Sequence, residues 1–356
     1  MSKKTGIPQL DAVIAATSKK FERDLGHEDY GNIKTFTSGS LQLDIALKAG
    51  GLPEGRVIEV YGPTSSMKTS FCLQAVGAKQ RARVLAGVQD KRDLILDLEH
   101  SLTSSFLTGF GFDLDEQTIW VRPKSAEEAL QISIDYVKSG AIDCVVFDSV
   151  DAAQNEKQQR RSIGEADVGG ISKDMSTAMR QISKIGPEYN TTYFFINQVR
   201  QNPGVMFGNP EVTPGGNALA FYATLRLRFN TRKPCPEIPN ASYLRAKIIK
   251  TKIGEESLEE ISMPFVSGKG FATALDIEAV AKELGILKHS AGQSKIQWVP
   301  DGPFEPLLPD IEKGKEAGQQ ALITNHLLVE KVRQACFLHT NVSCKLTPEQ
   351  VLALPV

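Results

Sequence analysis

Val57-Ile58-Glu59-Val60-Tyr61-Gly62-Pro63-Thr64-Ser65-Ser66-Met67-Lys68-Thr69-Ser70 decides how this chain is read. A β-branched run passes through a turn of small residues into Lys-Thr and then an apolar helix. A phosphate-binding loop has this layout. Backbone N–H groups of the turn and of the helix start face phosphate oxygens, Lys68 reaches the terminal phosphates, and Thr69 ligates magnesium. The usual pattern is G-x-x-x-x-G-K-[ST], and Met67 stands where its second glycine belongs. Taken alone, the stretch is either a variant nucleotide site or an ordinary strand-turn-helix with a surface lysine.

Around it the chain alternates. Strands are expected at residues 94–98, 118–121, 143–147 and 193–196, and helices at 41–47, 126–137 and 172–185. Apolar strands separated by helices predict a largely parallel sheet covered on both faces, with ligands at the strand C-terminal ends. Glu99, Asp148 and Gln198 occupy such ends. Asp148 is suited to a magnesium-ligated water, and Glu99 to orienting a water for attack on a terminal phosphate. Together with Lys68 and Thr69 they make an ATPase the favoured reading. Residues 225–229 and 245–250 alternate as antiparallel edge strands do, with Pro234, Pro236 and Pro239 in a loop between them.

The 356 residues suffice for more than one domain, and the formal net charge of -1 excludes a globally basic surface, so nucleic acid must be held by a local patch. Five cysteines without a C-x-x-C pair read as reduced thiols of a cytoplasmic protein, with no zinc site. No signal region and no membrane-length apolar run is expected. A helix over residues 8–25, followed by a break, is either an arm for a neighbouring subunit or a helix packed on its own domain.

Two irregular stretches remain. One spans residues 160–170 and the other 200–217; both combine glycine or arginine with apolar residues. They read either as mobile surface loops or as segments that hold phosphates and wedge between bases.

Ser38-Gly39-Ser40-Leu41-Gln42-Leu43-Asp44, Tyr61-Gly62-Pro63, Lys68-Thr69, Asp97-Leu98-Glu99-His100, Val146-Phe147-Asp148-Ser149, Ile196-Asn197-Gln198-Val199-Arg200 and Gly204-Val205-Met206-Phe207-Gly208-Asn209-Pro210-Glu211 resemble the bacterial RecA recombinases over residues 36–275. The resemblance implies an α/β fold: a RecA-like P-loop ATPase core with a mostly parallel sheet flanked by helices. It divides the chain into an N-terminal helical arm for subunit packing (1–34), a core with DNA-binding loops (35–270) and a small C-terminal α/β domain (271–356). It implies an ATP- and Mg2+-dependent filament on single-stranded DNA that exchanges strands with homologous double-stranded DNA. A single-strand-binding protein is a further partner.

By position, the resemblance makes Glu99, Lys68, Gln198, Lys250 and Lys252 catalytic, the last two donated by a neighbouring subunit. Gly62, Pro63, Thr64, Ser65, Ser66, Met67, Lys68, Thr69, Ser70, Thr103, Phe106, Asp148 and Gly268 hold the nucleotide, with Thr69 and Asp148 at the metal. DNA falls to Arg161, Ile163, Gly164, Val168, Gly169, Gly170, Lys173, Ser176 and Arg180. It also falls to Arg200, Gln201, Asn202, Pro203, Gly204, Val205, Met206, Phe207, Gly208, Gly215, Gly216 and Asn217. Phe221 and Arg226 lie at the subunit interface. The chain departs from the family at Met67, at Thr103 and Phe106, where an aspartate and a tyrosine usually meet adenine, and at Ala220, which replaces an interface lysine. Such divergence suits a phage- or plasmid-encoded member. Two other readings stand beside strand exchange: a DNA-coating filament with little ATP turnover, and a helicase-type motor, against which the long loop at 204–211 argues.

Overall fold

The computed structural model describes residues 7–21, 33–153, 170–201, 211–236, 238–254, 260–289, 296–298, 332–333, 335–337 and 340. It divides into two compact units, Met1–Lys34 and Thr35–Val356. In the first, Pro8–Phe21 forms α1, with proline in the first turn, where its missing N–H costs nothing. Leu10 and Val13 are exposed on it.

The second unit opens with a short antiparallel pair, β1 (Thr35–Phe36) and β2 (Leu52–Pro53), and is built on a nine-stranded sheet. Its parallel strands are β3 (Val57–Gly62), β4 (Arg92–Asp97), β5 (Thr118–Val121), β6 (Ile142–Asp148) and β7 (Thr192–Gln198). Three strands follow in the chain, β10 (Leu225–Pro234), β11 (Ala241–Thr251) and β12 (Ile261–Val266), and then the short β13 (Gly270–Phe271). The order is β13-β12-β11-β10-β3-β7-β6-β4-β5. Strand β10 lies parallel to β3 and antiparallel to β11. It is therefore the internal seam between a parallel and an antiparallel half, not the edge its alternation predicted. The alternate residues Arg226 and Arg228 face carboxylates instead of water. Pro234 also belongs to the end of this strand instead of a loop.

Period-two patterning divides the parallel strands between two cores. Ile58, Val60, Ile95, Val146, Phe194 and Ile196 face one side, where they meet Phe71 and Leu73 of helix α3 (Lys68–Leu85). Val57, Leu94, Leu96, Val145, Phe147, Tyr193 and Phe195 face the other. That side is covered by α5 (Ala126–Lys138), α6 (Gly170–Tyr189) and α7 (Asn217–Tyr222). A third cluster joins Leu41 of α2 (Leu41–Ala46) to Ile277, Val280 and Ala281 of α8 (Thr273–Glu283) and to Val332 and Cys336. Asp276 ties this joint by accepting from Leu41 N at 2.5 Å and Ser40 Oγ at 3.0 Å. Burial pushes its carboxyl up to about 6.

At the amino-terminal ends of the strands, Arg83 bridges Asp93 (3.1 Å) and Asp143 (2.7 Å), and Lys79 also meets Asp143 (2.7 Å). Asp93, Asp143 and Cys144 stand close enough to share a cation, but these two basic side chains already balance them. Cys72, Cys144, Cys235 and Cys336 are buried; Cys344 lies outside the described residues. Among those residues no helix is long and apolar enough to cross a membrane.

Candidate functional site

The parallel strands end side by side, with Gly62 opposite Gln198 and Asp97 opposite Asp148. Beyond β3 the chain must turn sharply. Gly62 has no room for a side chain, since a Cβ there would stand 2.3 Å from the Phe229 carbonyl oxygen. The turn then uses two non-glycine residues in the left-handed region, Ser65 (φ 61°) and Met67 (φ 64°). Met67 is the N-cap of α3 and offers no side-chain acceptor to the first-turn N–H groups. Those donors therefore suit an anion.

Met67 thus adopts a conformation in which glycine is unstrained. An L-residue there costs about 1–2 kcal/mol, while the half-buried side chain packs on the core and recovers about the same. Met67→Gly is accordingly expected to change unfolding stability by less than about 1 kcal/mol in a urea titration. A shift above twice that would show that one contribution dominates.

Lys68 is buried, and its Nζ donates to Pro63 O at 2.8 Å and Ser66 Oγ at 3.4 Å. Burial lowers its pKa, against the opposing pull of Glu99 and Asp148. Thr69 Oγ1 donates to Asp148 Oδ2 at 3.0 Å, and Asp148 Oδ1 is buried without a partner. Burial first, then the neighbouring Glu99, pushes Asp148 up to about 7. An orphaned carboxylate oxygen beside a threonine hydroxyl fits a magnesium ion or its bound water. Strand β4 stops at Asp97, so Glu99 lies two residues beyond it and is exposed. Its Oε1 accepts from Ser149 Oγ at 2.7 Å. The Asp148–Ser149 peptide is cis. The sequence alone assigns Ser149 no role, although its place directly after Asp148 is the available signal.

Helix α4 (Ser104–Gly109) begins at Thr103, whose hydroxyl caps it by accepting from Phe106 N at 3.2 Å. Phe106 sits edge-on to Phe110, 5.1 Å between centroids. Gly109 approaches the Gly268 carbonyl, with Gly268 at φ 73° in the turn between β12 and β13. The expected base-contacting residues therefore come from two neighbouring segments. Thr64 Oγ1 donates to Gln198 Oε1 at 3.3 Å, which joins the turn after β3 to the end of β7.

The family model "RecA N-terminal domain" matches residues 9–272. The chain belongs to the RecA family. Protein RecA of Ruminococcus albus is 35% identical over 285 residues, 78% of this chain and 69% of that protein. Protein RecA of Listeria monocytogenes is 35% identical over 288 residues, 79% and 80% respectively. Among solved structures, that of the RadB recombinase aligns with a TM-score of 0.47 at 21% identity, covering 66% of this chain and 97% of its own.

The remaining residues that the RecA resemblance singled out form a second group. Lys173 and Arg180 are exposed on α6, with Ser176 between them at helical spacing. Gly170 starts that helix, and Gly216 and Asn217 start α7. Gly215 and Gly216 have positive φ, and side chains there would press on Val150 (3.0 Å) and Ser172 (3.1 Å), so the starts of α6 and α7 lie close together. Arg200 and Gln201 form β8, which pairs with β9 (Glu211–Val212), and Arg200 meets Asp151 at 2.5 Å. Arg161, Ile163, Gly164, Val168, Gly169, Asn202, Pro203, Gly204, Val205, Met206, Phe207 and Gly208 lie outside the described residues.

Four residues that the RecA resemblance places between subunits lie among the described residues. Lys250 Nζ donates to Ala220 O (2.7 Å) and Phe221 O (2.8 Å), holding the end of α7. Lys252 is exposed just past β11, and Phe221 is 71% exposed. Arg226 also has partners within its own chain. Its Nε meets the fully buried Glu59 at 2.5 Å, and its guanidinium lies 4.6 Å from the Tyr61 ring centroid.

Proposed function

We propose that this chain is an ATP-dependent homologous recombination protein. It forms a filament on single-stranded DNA and exchanges strands with a homologous duplex, in the cytoplasm and alongside a single-strand-binding protein. The observation that carries this is one continuous path: Lys68, Thr69, Asp148 and Glu99 gather at the sheet's C-terminal edge, and Thr64 passes contact through Gln198 into the segment starting at Arg200. Membership of the RecA family supports the same reading.

In this mechanism the amides between Gly62 and Ser70, with Lys68, hold the β- and γ-phosphates of ATP. Lys68 exchanges its Pro63 carbonyl partner for phosphate oxygen, a charge-assisted and stronger bond. Thr69 and Asp148 hold Mg2+, which neutralises phosphate charge when bound. Deprotonated Asp148 is the ligand form. Glu99, oriented by Ser149, accepts the proton of the water that attacks the γ-phosphorus in line. Lys250 and Lys252 of a neighbouring subunit stabilise the developing charge. Gln198 reports the γ-phosphate to the DNA-contacting residues Lys173, Arg180, Arg200 and Gly215–Asn217, whose cations and amides position phosphates.

Lys68→Ala is expected to weaken ATP binding by at least about 10-fold, the loss of one charged hydrogen bond, and to abolish strand exchange. Wild-type affinity in a nucleotide-binding titration would refute the phosphate-loop reading. The left-handed Met67 favours a second reading, a DNA-coating filament with slow turnover. A comparison of phosphate release with and without single-stranded DNA separates the two.

A further inference from the structure

Strand β10 stops pairing with β3 at Arg228, opposite Tyr61, yet continues to Pro234. Its last residues therefore run on beyond the end of β3, beside the phosphate loop; the Phe229 carbonyl against Gly62 marks the approach. The register between β10 and β11 is irregular between Asn230 and Lys233. Such irregularities re-aim side chains. Within it lies Arg232, exposed, whose Nη1 donates to Met67 Sδ at 3.7 Å.

A thioether is a weak acceptor for a guanidinium. Nearby arginines are better supplied: Arg228 pairs with Glu211 and Arg245 with Glu260. Among the described residues no carboxylate stands at ion-pair distance from Arg232. The one loop residue that departs from the glycine pattern, in a conformation that disfavours side chains, is thus the one holding, at the start of α3, a cation with no carboxylate partner among the described residues.

We propose that Arg232 is a phosphate-contacting residue of the nucleotide site, kept at the loop by Met67, for a nucleoside di- or triphosphate. The inference rests on the phosphate-loop reading above. A phosphate oxygen forms a charge-assisted, bidentate-capable bond with guanidinium and displaces the thioether readily. Lysine serves as a point charge only, so it replaces arginine in part.

The test uses the full-length protein and equilibrium binding of ATP and ADP, with adenosine as competitor. Arg232→Ala is expected to raise the Kd for ATP and ADP about 10-fold, the value of one charged hydrogen bond, and to leave adenosine competition unchanged. Arg232→Lys should recover part of the loss. Because Arg232 is exposed, the thermal midpoint should not move, and it serves as the folding control. ATP affinity unchanged in Arg232→Ala, with Lys68→Ala impaired, overturns the Arg232 assignment alone. An equal loss for adenosine also overturns it, since the contact would not be to phosphate. Unchanged affinity in Lys68→Ala overturns the phosphate-loop reading itself, and this inference with it.

Discussion

Glu99→Gln is expected to lower DNA-stimulated ATP turnover by about 10²–10⁴-fold, the usual contribution of a positioned general base. The amide keeps the shape of the carboxylate, and its oxygen can still accept from Ser149 Oγ, now 2.7 Å from Glu99 Oε1. What it loses is the ability to take a proton. ATP affinity should therefore persist, because the proposed phosphate contacts are those of Lys68 and the loop amides. Stability should move by no more than about 0.5 kcal/mol, as for other surface changes, since the side chain is exposed. Phosphate release measured on single-stranded DNA, beside an ATP-binding titration, separates these effects. Turnover close to wild type would remove Glu99 from the chemistry and leave the site as a binding switch.

The largest expected loss of stability comes from Arg226→Ala. Glu59 is fully buried in the middle of β3, and its Oε2 meets Arg226 Nε at 2.5 Å. Asn197 Nδ2 also donates to Glu59 Oε1 at 3.2 Å and to Pro214 O at 3.0 Å. Removing the guanidinium strands a buried carboxylate, which costs about 3–5 kcal/mol. Neutralising both partners, as Glu59→Gln with Arg226→Met, should recover most of that loss, because the expensive species is the unpaired charge. Denaturant midpoints of the two variants decide this; a loss below about 1 kcal/mol in Arg226→Ala would mean the pair behaves as a solvated one. The pair also matters for position. Asn197 precedes Gln198, and Pro214 precedes the glycines that start α7, so loosening Glu59 should also disturb the connection between the end of β7 and the start of α7.

Much of the site was legible in the chain because it is written in contiguous runs. A strand of alternating burial, a small-residue turn and Lys68-Thr69 specify a local geometry. Asp148 and Glu99 could be placed because apolar runs reveal where parallel strands end. The same locality explains the errors. Alternation in residues 225–229 signals one polar face, but not whether water or a carboxylate meets it, so it predicts an edge where β10 is the seam of the sheet.

By itself, then, the sequence determined the strand-turn-helix around Lys68, the parallel half of the sheet and the carboxylates at its edge, since each depends on neighbours a few residues apart. Only the tertiary structure decided that Met67 is left-handed and holds Arg232, that Ser149 orients Glu99, that Lys250 caps α7, and that Arg226 faces Glu59 within its own protomer. Those pairings join residues 50 to 167 positions apart in the chain, apart from the nearer Lys250 contact. They are set by which strands lie side by side, a choice made by burial of whole faces and not by any local pattern.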